Sequence, residues 1–248
     1  MKSWRLKRQF TGIAAIAIVV VLIVAGIIYF LGTFGSCNDG LLNQDEERTD
    51  CGGICAPCID TNVKDPTILW ARFFPIGPGT YDVAARVRNP NQIAGGQATY
   101  TFTLRDQNGN AIAQSEGKTT LFPNKEHVLF RANVATNIEP KTVSFAIEVP
   151  EWKKIVDRDI PVNIVSQEFN ATPAPRVVAT LENQSLFTVE NFTVAALLHD
   201  KDGNVVGVSQ TIVDEIDGKA RLPVIFTWPD TAPLRDPARI TFVTAPEL

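Results

Sequence analysis

Every cysteine of the chain lies in one stretch, CNDGLLNQDEERTDCGGICAPC, at Cys37, Cys51, Cys55 and Cys58. Between them stand Asp39, Asn43, Asp45, Glu46 and Asp50, close to Gly40. These residue types allow several chemistries. Four thiolates can hold zinc tetrahedrally. A C-x-x-C pair can cycle between dithiol and disulfide. Carboxylate and amide oxygens can wrap calcium, a hard cation that takes about six to eight oxygen ligands. The spacing speaks against the first two. Zinc ribbons use two C-x-x-C knuckles, and only Cys55 and Cys58 make one. The CAPC sequence lacks the strand-to-helix context that lowers a thiol pKa. The acids do not follow the EF-hand order, although a glycine-containing loop with Asp39, Asn43, Glu46 and Asp50 can still cradle an ion.

Little else in the chain can carry catalysis. There are two histidines, His127 and His199, and one methionine. His199 adjoins Asp200, and Ser185 and Ser209 are available, but no G-x-S-x-G elbow is present. His199 is expected at an exposed strand end and His127 on the surface of a strand. Asp106 and Asp200 precede hairpin glycines and are expected to cap turns by accepting from nearby backbone N–H groups. The most aromatic stretch, ILWARFFP, puts Trp70, Phe73 and Phe74 either in a core or on a contact patch. Asn170, Asn183 and Asn191 begin glycosylation sequons, which matter only in a host that uses them.

Which side of a membrane the cysteines occupy decides their chemistry. Phe10 to Leu31 is free of charge. As a helix it spans about 33 Å, close to the hydrocarbon thickness of a bilayer. It is longer than the apolar core of a signal peptide, and no A-x-A site follows it. A transmembrane helix is therefore expected over residues 9–32. Residues 1–8 carry Lys2, Arg5, Lys7 and Arg8 and no acid. The positive-inside rule puts that tail in the cytoplasm and the remainder of a single-pass cell-membrane protein outside. An extracytoplasmic module at residues 33–60 favours disulfides, and four cysteines allow three pairings among which sequence does not choose. Two readings of the module stand: a covalently closed acidic spacer, and the same spacer binding calcium through Asp39, Asn43, Glu46 and Asp50. The chain's net charge of −4 leaves −8 beyond residue 8, a poor balance for binding nucleic acid.

Beyond residue 60, short alternating runs are separated by turn signals. In TYTFTLRDQNGNAIAQS, Tyr100, Phe102 and Leu104 fall on one face and Thr99, Thr101 and Thr103 on the other, before a turn at Asn108-Gly109. FTVAALLHDKDGNVVGVS repeats the arrangement with a turn at Asp202-Gly203. The offset is 94 residues: Val83 matches Val177, Asn89 matches Asn183, Leu104 matches Leu198 and Asp106 matches Asp200. At the same offset Val128 and Phe130 fall on Leu222 and Val224, and Trp70, Phe73 and Phe74 on Ile164, Gln167 and Glu168. Farther on, PKTVSFAI resembles PARITFVT. Each copy is expected to be an antiparallel β-sandwich, over residues 61–150 and 160–248, with a charged linker at 151–159.

Two resemblances add to this. Cys37, Asp39, Gly40, Asn43, Glu46, Asp50, Cys51, Gly52, Gly53 and Cys55 fit C-x-D-G-x-x-N-x-x-E-x-x-x-D-C-G-G-x-C. That pattern resembles a cysteine module of secreted and surface-attached bacterial proteins and is similar to thrombospondin type 3 repeats. The stretches around VRNPN and LENQS, each followed by a strand, a D-x-x-G-N hairpin and further strands, resemble the FxLYD family of immunoglobulin-like domains on bacterial envelope proteins. The namesake motif departs at Phe102-Thr103-Leu104-Arg105-Asp106 and at Ala196-Leu197-Leu198-His199-Asp200. The family brings no catalytic residues with it. The resemblance implies a mainly β, non-catalytic cell-envelope protein that presents two immunoglobulin-like domains for protein binding or surface assembly. The alternative is an accessory structural subunit of a membrane secretion or surface-appendage complex. Either way the expected partners are the lipid bilayer and a further protein, with calcium the one candidate ligand.

Overall fold

The computed structural model describes residues 16–27, 37, 39–43, 45–55, 58, 63–155, 159–234 and 236–247. The chain divides into two compact units, Met1–Cys58 and Ile59–Leu248. In the first, residues 16–27 form a helix, α1, about 18 Å long. Among the described residues no helix is long and apolar enough to cross a membrane. The rest of the expected span, residues 9–15 and 28–32, and the tail at 1–8 lie outside the described residues.

The second unit is mainly β and antiparallel. Its strands are β1 (Thr67–Gly77), β2 (Thr80–Arg88), β3 (Ala94–Arg105), β4 (Ala111–Leu121), β5 (Glu126–Ala135), β6 (Thr142–Glu148), β7 (Lys153–Lys154), β8 (Val162–Asn170), β9 (Arg176–Asn183), β10 (Val189–His199), β11 (Val205–Ile216), β12 (Arg221–Thr227) and β13 (Arg239–Pro246). In the first copy, sheet β1-β2-β5 faces sheet β4-β3-β6, and β7 adds to the start of β3. In the second, β8-β9-β12 faces β11-β10-β13. The strand order is thus the same, position for position. Each pair encloses its own apolar cluster: Val83, Val87, Phe102, Leu104 and Leu121 in one, and Val177, Leu181, Phe192, Leu198 and Phe226 in the other.

Strand pairing gives the repeat finer detail than letter matching. Phe102 pairs with Ser115 and Ala196 with Ser209, so the hairpins β3–β4 and β10–β11 keep the offset of 94. The next strand does not. Ala85 pairs with Leu129, and its counterpart Ala179 pairs with Val224. Leu129, not Phe130, therefore stands where Val224 stands. This corrects the expected match of Val128 and Phe130 to Leu222 and Val224. Because successive side chains point to opposite faces, a slip of one residue reverses what faces the core. Val128 and Phe130 face away from their own core, at the positions of Pro223 and Ile225. The first strand slips too. Phe73 pairs with Val83, and Phe169 with Val177. Phe73 thus corresponds to Phe169, Trp70 to Ser166 and Phe74 to Asn170, rather than to Gln167, Ile164 and Glu168.

The outward residues of the first copy are covered by the second copy. Trp70, Phe74, Ala84, Val128 and Phe130 pack against Ala195, Leu197, Val205, Val208 and Val243 in a third apolar cluster. This seam explains burial patterns that alternate poorly. Tyr81 to Ala85 are all buried, as are Val194 to His199, because these strands have apolar neighbours on both faces. Ile76 reaches past the seam into the second copy's core, where the Thr231 hydroxyl donates to its carbonyl. The segment between the copies is partly strand, since Lys153 pairs with Gly95 and Lys154 with Ala94.

Candidate functional site

In the cysteine module the pairs are Cys37–Cys55 and Cys51–Cys58. Each loop encloses one cysteine of the other, so the two disulfides interlock. Left-handed backbone at Gly40, Asp45, Asp50, Gly52 and Gly53 lets the short chain double back. The four expected calcium ligands are each engaged within the module. Asn43 Nδ2 donates to Asp39 Oδ2 at 3.1 Å. Glu46 Oε2 accepts from the backbone N–H of Asn43 and of Asp50. Asp50 Oδ1 accepts from the Gly40 N–H at 2.9 Å. Asp39 Oδ1 accepts from the Leu41 N–H. The carboxylates thus point toward backbone donors, while Asn43 Oδ1 is buried without a hydrogen-bond partner. Among the described residues no group of three or more His, Cys, Asp or Glu side chains is placed to hold a metal ion.

The aromatic stretch divides between two environments. Phe73 lies in the first copy's core, edge-on to Tyr81 with ring centroids 5.8 Å apart. Trp70 and Phe74 lie in the seam. Beside the seam a cleft of about 730 Å³ opens between Ala71–Pro75 of β1 and the loop that carries Pro233, Leu234, Asp236 and Pro237. Arg72 crosses it, donating to the Val205 carbonyl and to Asn204 Oδ1, each at 3.1 Å.

Both histidines are buried, contrary to the surface positions expected from sequence. His199 is tied on both sides, Nδ1 to the Gly203 carbonyl at 3.2 Å and Nε2 to the Thr241 hydroxyl at 2.8 Å. The serines considered as its partners are engaged elsewhere. Ser185 Oγ donates to the Phe187 carbonyl and Ser209 Oγ to the Thr227 carbonyl. His127 takes the inward position that the register slip assigns it, opposite Val87. Its ring stacks on Phe122, and Nε2 accepts from the Phe122 N–H at 3.2 Å. Burial favours the neutral ring and lowers its pKa to about 4.

The repeated turn residues take matching roles. Asp106 Oδ1 accepts from the N–H groups of Asn108 and Asn110, and Asp200 Oδ1 from those of Asp202 and Asn204. Gly109 and Gly203 follow with φ of 82°. The Asn110 side-chain amide, above all, holds the Asp106 carboxyl below the usual range, and the Asn204 N–H does so for Asp200. One repeated pair carries more than its sequence match suggested. Asn89 and Asn183 are fully buried. Asn89 Nδ2 donates to the Ala94 and Phe122 carbonyls, and Asn183 Nδ2 to those of Phe187, Ile216 and Asp217. Each side-chain oxygen accepts from the N–H two residues on, Asn91 or Ser185. A polar residue recurring at one offset amid apolar strands was the signal available for this role.

No family model matches the chain, and no curated protein matches it. Among solved structures, red sea bream transglutaminase is similar at a TM-score of 0.27 and 12% identity, over 74% of this chain and 29% of that one. The chain therefore spans less than a third of that protein's length.

Proposed function

We propose that the chain is a non-catalytic, membrane-anchored protein of the cell envelope whose two immunoglobulin-like, FxLYD-type copies serve protein binding or surface assembly. One observation carries this reading. The two copies are joined through an apolar seam into one block, and their histidines and turn acids are engaged in holding backbone. The outer loops and strand edges of that block are what remains to meet a partner. The apolar run around α1 serves as the anchor, with the N-terminus on the cytoplasmic side. Crosslinking in native membranes tests the reading. Capture of an external protein at stoichiometric yield supports it. A stoichiometric membrane subunit instead favours the accessory role in a secretion or appendage complex. Recovery of the unprocessed chain in the soluble fraction overturns the anchor.

Calcium belongs to the same proposal. The buried, unpartnered Asn43 Oδ1, on a side chain that already meets Asp39, supports it. Binding requires the carboxylates to exchange backbone donors for the ion. Calcium should therefore raise the protease resistance of the module in the full chain, and chelator should reverse the effect. Identical cleavage in calcium and in chelator removes calcium from the account.

A further inference from the structure

The β2–β3 loop and the β9–β10 loop share a feature that the repeat makes visible. Ile93 and Phe187 stand at the offset of 94, and both are exposed, at 41% and 80%. Leu186, beside Phe187, is 77% exposed. The backbone beneath this tip is fixed. Asn183 Nδ2 and Ser185 Oγ both donate to the Phe187 carbonyl at 2.7 Å, and a side chain at Gly218 would collide with the Leu186 backbone. Two large apolar side chains are thus held out on an ordered loop, so burying them adds little ordering cost.

Both loops leave the block at the same end. β5 starts where β2 stops, with Glu126 opposite Arg88. A small cavity in the seam brings His127–Phe130 of β5 beside Thr193, near the start of β10. Toward the opposite end, Arg72 of β1 meets Val205, just past the β10–β11 turn, and the Ile76 carbonyl meets Thr231 in the loop after β12. The chain also enters the block at the end that carries the apolar tips. The Lys64 backbone exchanges two hydrogen bonds with the Asn91 side chain, each at 2.8 Å, and Thr67 then pairs with Arg88. Ile93, Leu186 and Phe187 therefore mark the end at which the chain arrives from the charge-free run at 10–31.

We propose that this end of the block rests on a lipid bilayer, with Leu186 and Phe187 inserted at the boundary of headgroups and acyl chains and Ile93 making the smaller contact of the first copy. Apolar side chains gain by leaving water there. Two or three are too few to hold a bilayer alone, but an anchor on the same chain makes the second contact intramolecular. Glu190, Glu215 and Asp217 are exposed just beyond the tip, the last accepting from the Thr188 hydroxyl. Neutral headgroups therefore suit this surface better than anionic ones. The inference goes beyond the binding-protein reading and rests only on its membrane anchor.

The test places the full chain in phosphatidylcholine vesicles with a nitroxide on one added cysteine, the four native ones being disulfide-bonded. Phe187→Cys reports the tip, Ile225→Cys the exposed outer sheet and Ile23→Cys the anchor. The Phe187→Cys label should be accessible to oxygen and should lose, relative to Ile225→Cys, its accessibility to a water-soluble nickel chelate. Leu186→Glu in the same chain should restore nickel accessibility, and shielding that survives it overturns the insertion. A tip label as nickel-accessible as that of Ile225→Cys overturns the proposal, and a lipid-buried Ile23→Cys label beside it leaves the anchor standing. A lipid-buried tip with a water-exposed Ile23→Cys label supports the proposal and overturns the anchor. Shielding of the tip in native membranes but not in lipid vesicles assigns it to a protein and overturns the proposal.

Discussion

Asn89 and Asn183 each replace a missing piece of backbone pairing. A buried amide that donates to two or three carbonyls closes the gap where a strand leaves its sheet. Asn183→Ala leaves those carbonyls without a donor and opens a small void, at a cost of about 2–4 kcal/mol. Asn89→Ala should cost a similar amount, and urea unfolding of the two variants checks both. His127 answers to pH instead. Its folded pKa of about 4 lies below the ordinary value of 6.5. Between those values the unfolded chain binds the proton that the folded chain refuses, so stability falls as pH drops through that window. The loss is roughly 3 kcal/mol at its fullest. Asp82 acts oppositely, because burial raises its pKa and favours folding as the carboxyl takes up its proton. His127→Leu supplies the residue type found at Leu222. It should flatten the decline of melting temperature between pH 6.5 and 4, measured against the unsubstituted chain.

Much of the element pattern was legible from the chain. The hairpins β3–β4 and β10–β11, their turn acids and their glycines stand where alternation and an ungapped offset of 94 put them. Beyond the hairpins the reading failed for a physical reason. A period of two cannot report which face is inward when both faces are apolar, and Val128, Leu129 and Phe130 are alike in hydropathy. Only pairing with Ala84 and Ala85 separates them. The same ambiguity hid His127. The run Val194-Ala195-Ala196-Leu197-Leu198 did carry a signal of two-sided burial, since a strand with one wet face would alternate. In the cysteine module the interlocked pairing was not legible, because it depends on left-handed turns that sequence marks only at the glycines.

Across the whole second unit the seam makes one body of two sandwiches. Its apolar faces are used once. At the positions of Trp70, Arg72 and Phe74 the second copy presents Ser166, Glu168 and Asn170, so the stack ends on a polar sheet. Leu197→Asp buries a charge in the seam and costs about 3 kcal/mol or more. It should divide one calorimetric transition into two, as each copy keeps its own core. Ile225→Asp, on the 58% exposed outer face, should shift stability by no more than about 0.5 kcal/mol and leave the transition single.

The difference between the copies' outer faces has a further consequence. Neighbouring repeats of similar sequence are prone to exchange strands while folding, giving tangled species that aggregate. Here β12 offered to β2 in place of β5 would set Pro223 and Ile225 where Val128 and Phe130 fill the seam. The seam thus favours each sheet's own third strand over its sibling's.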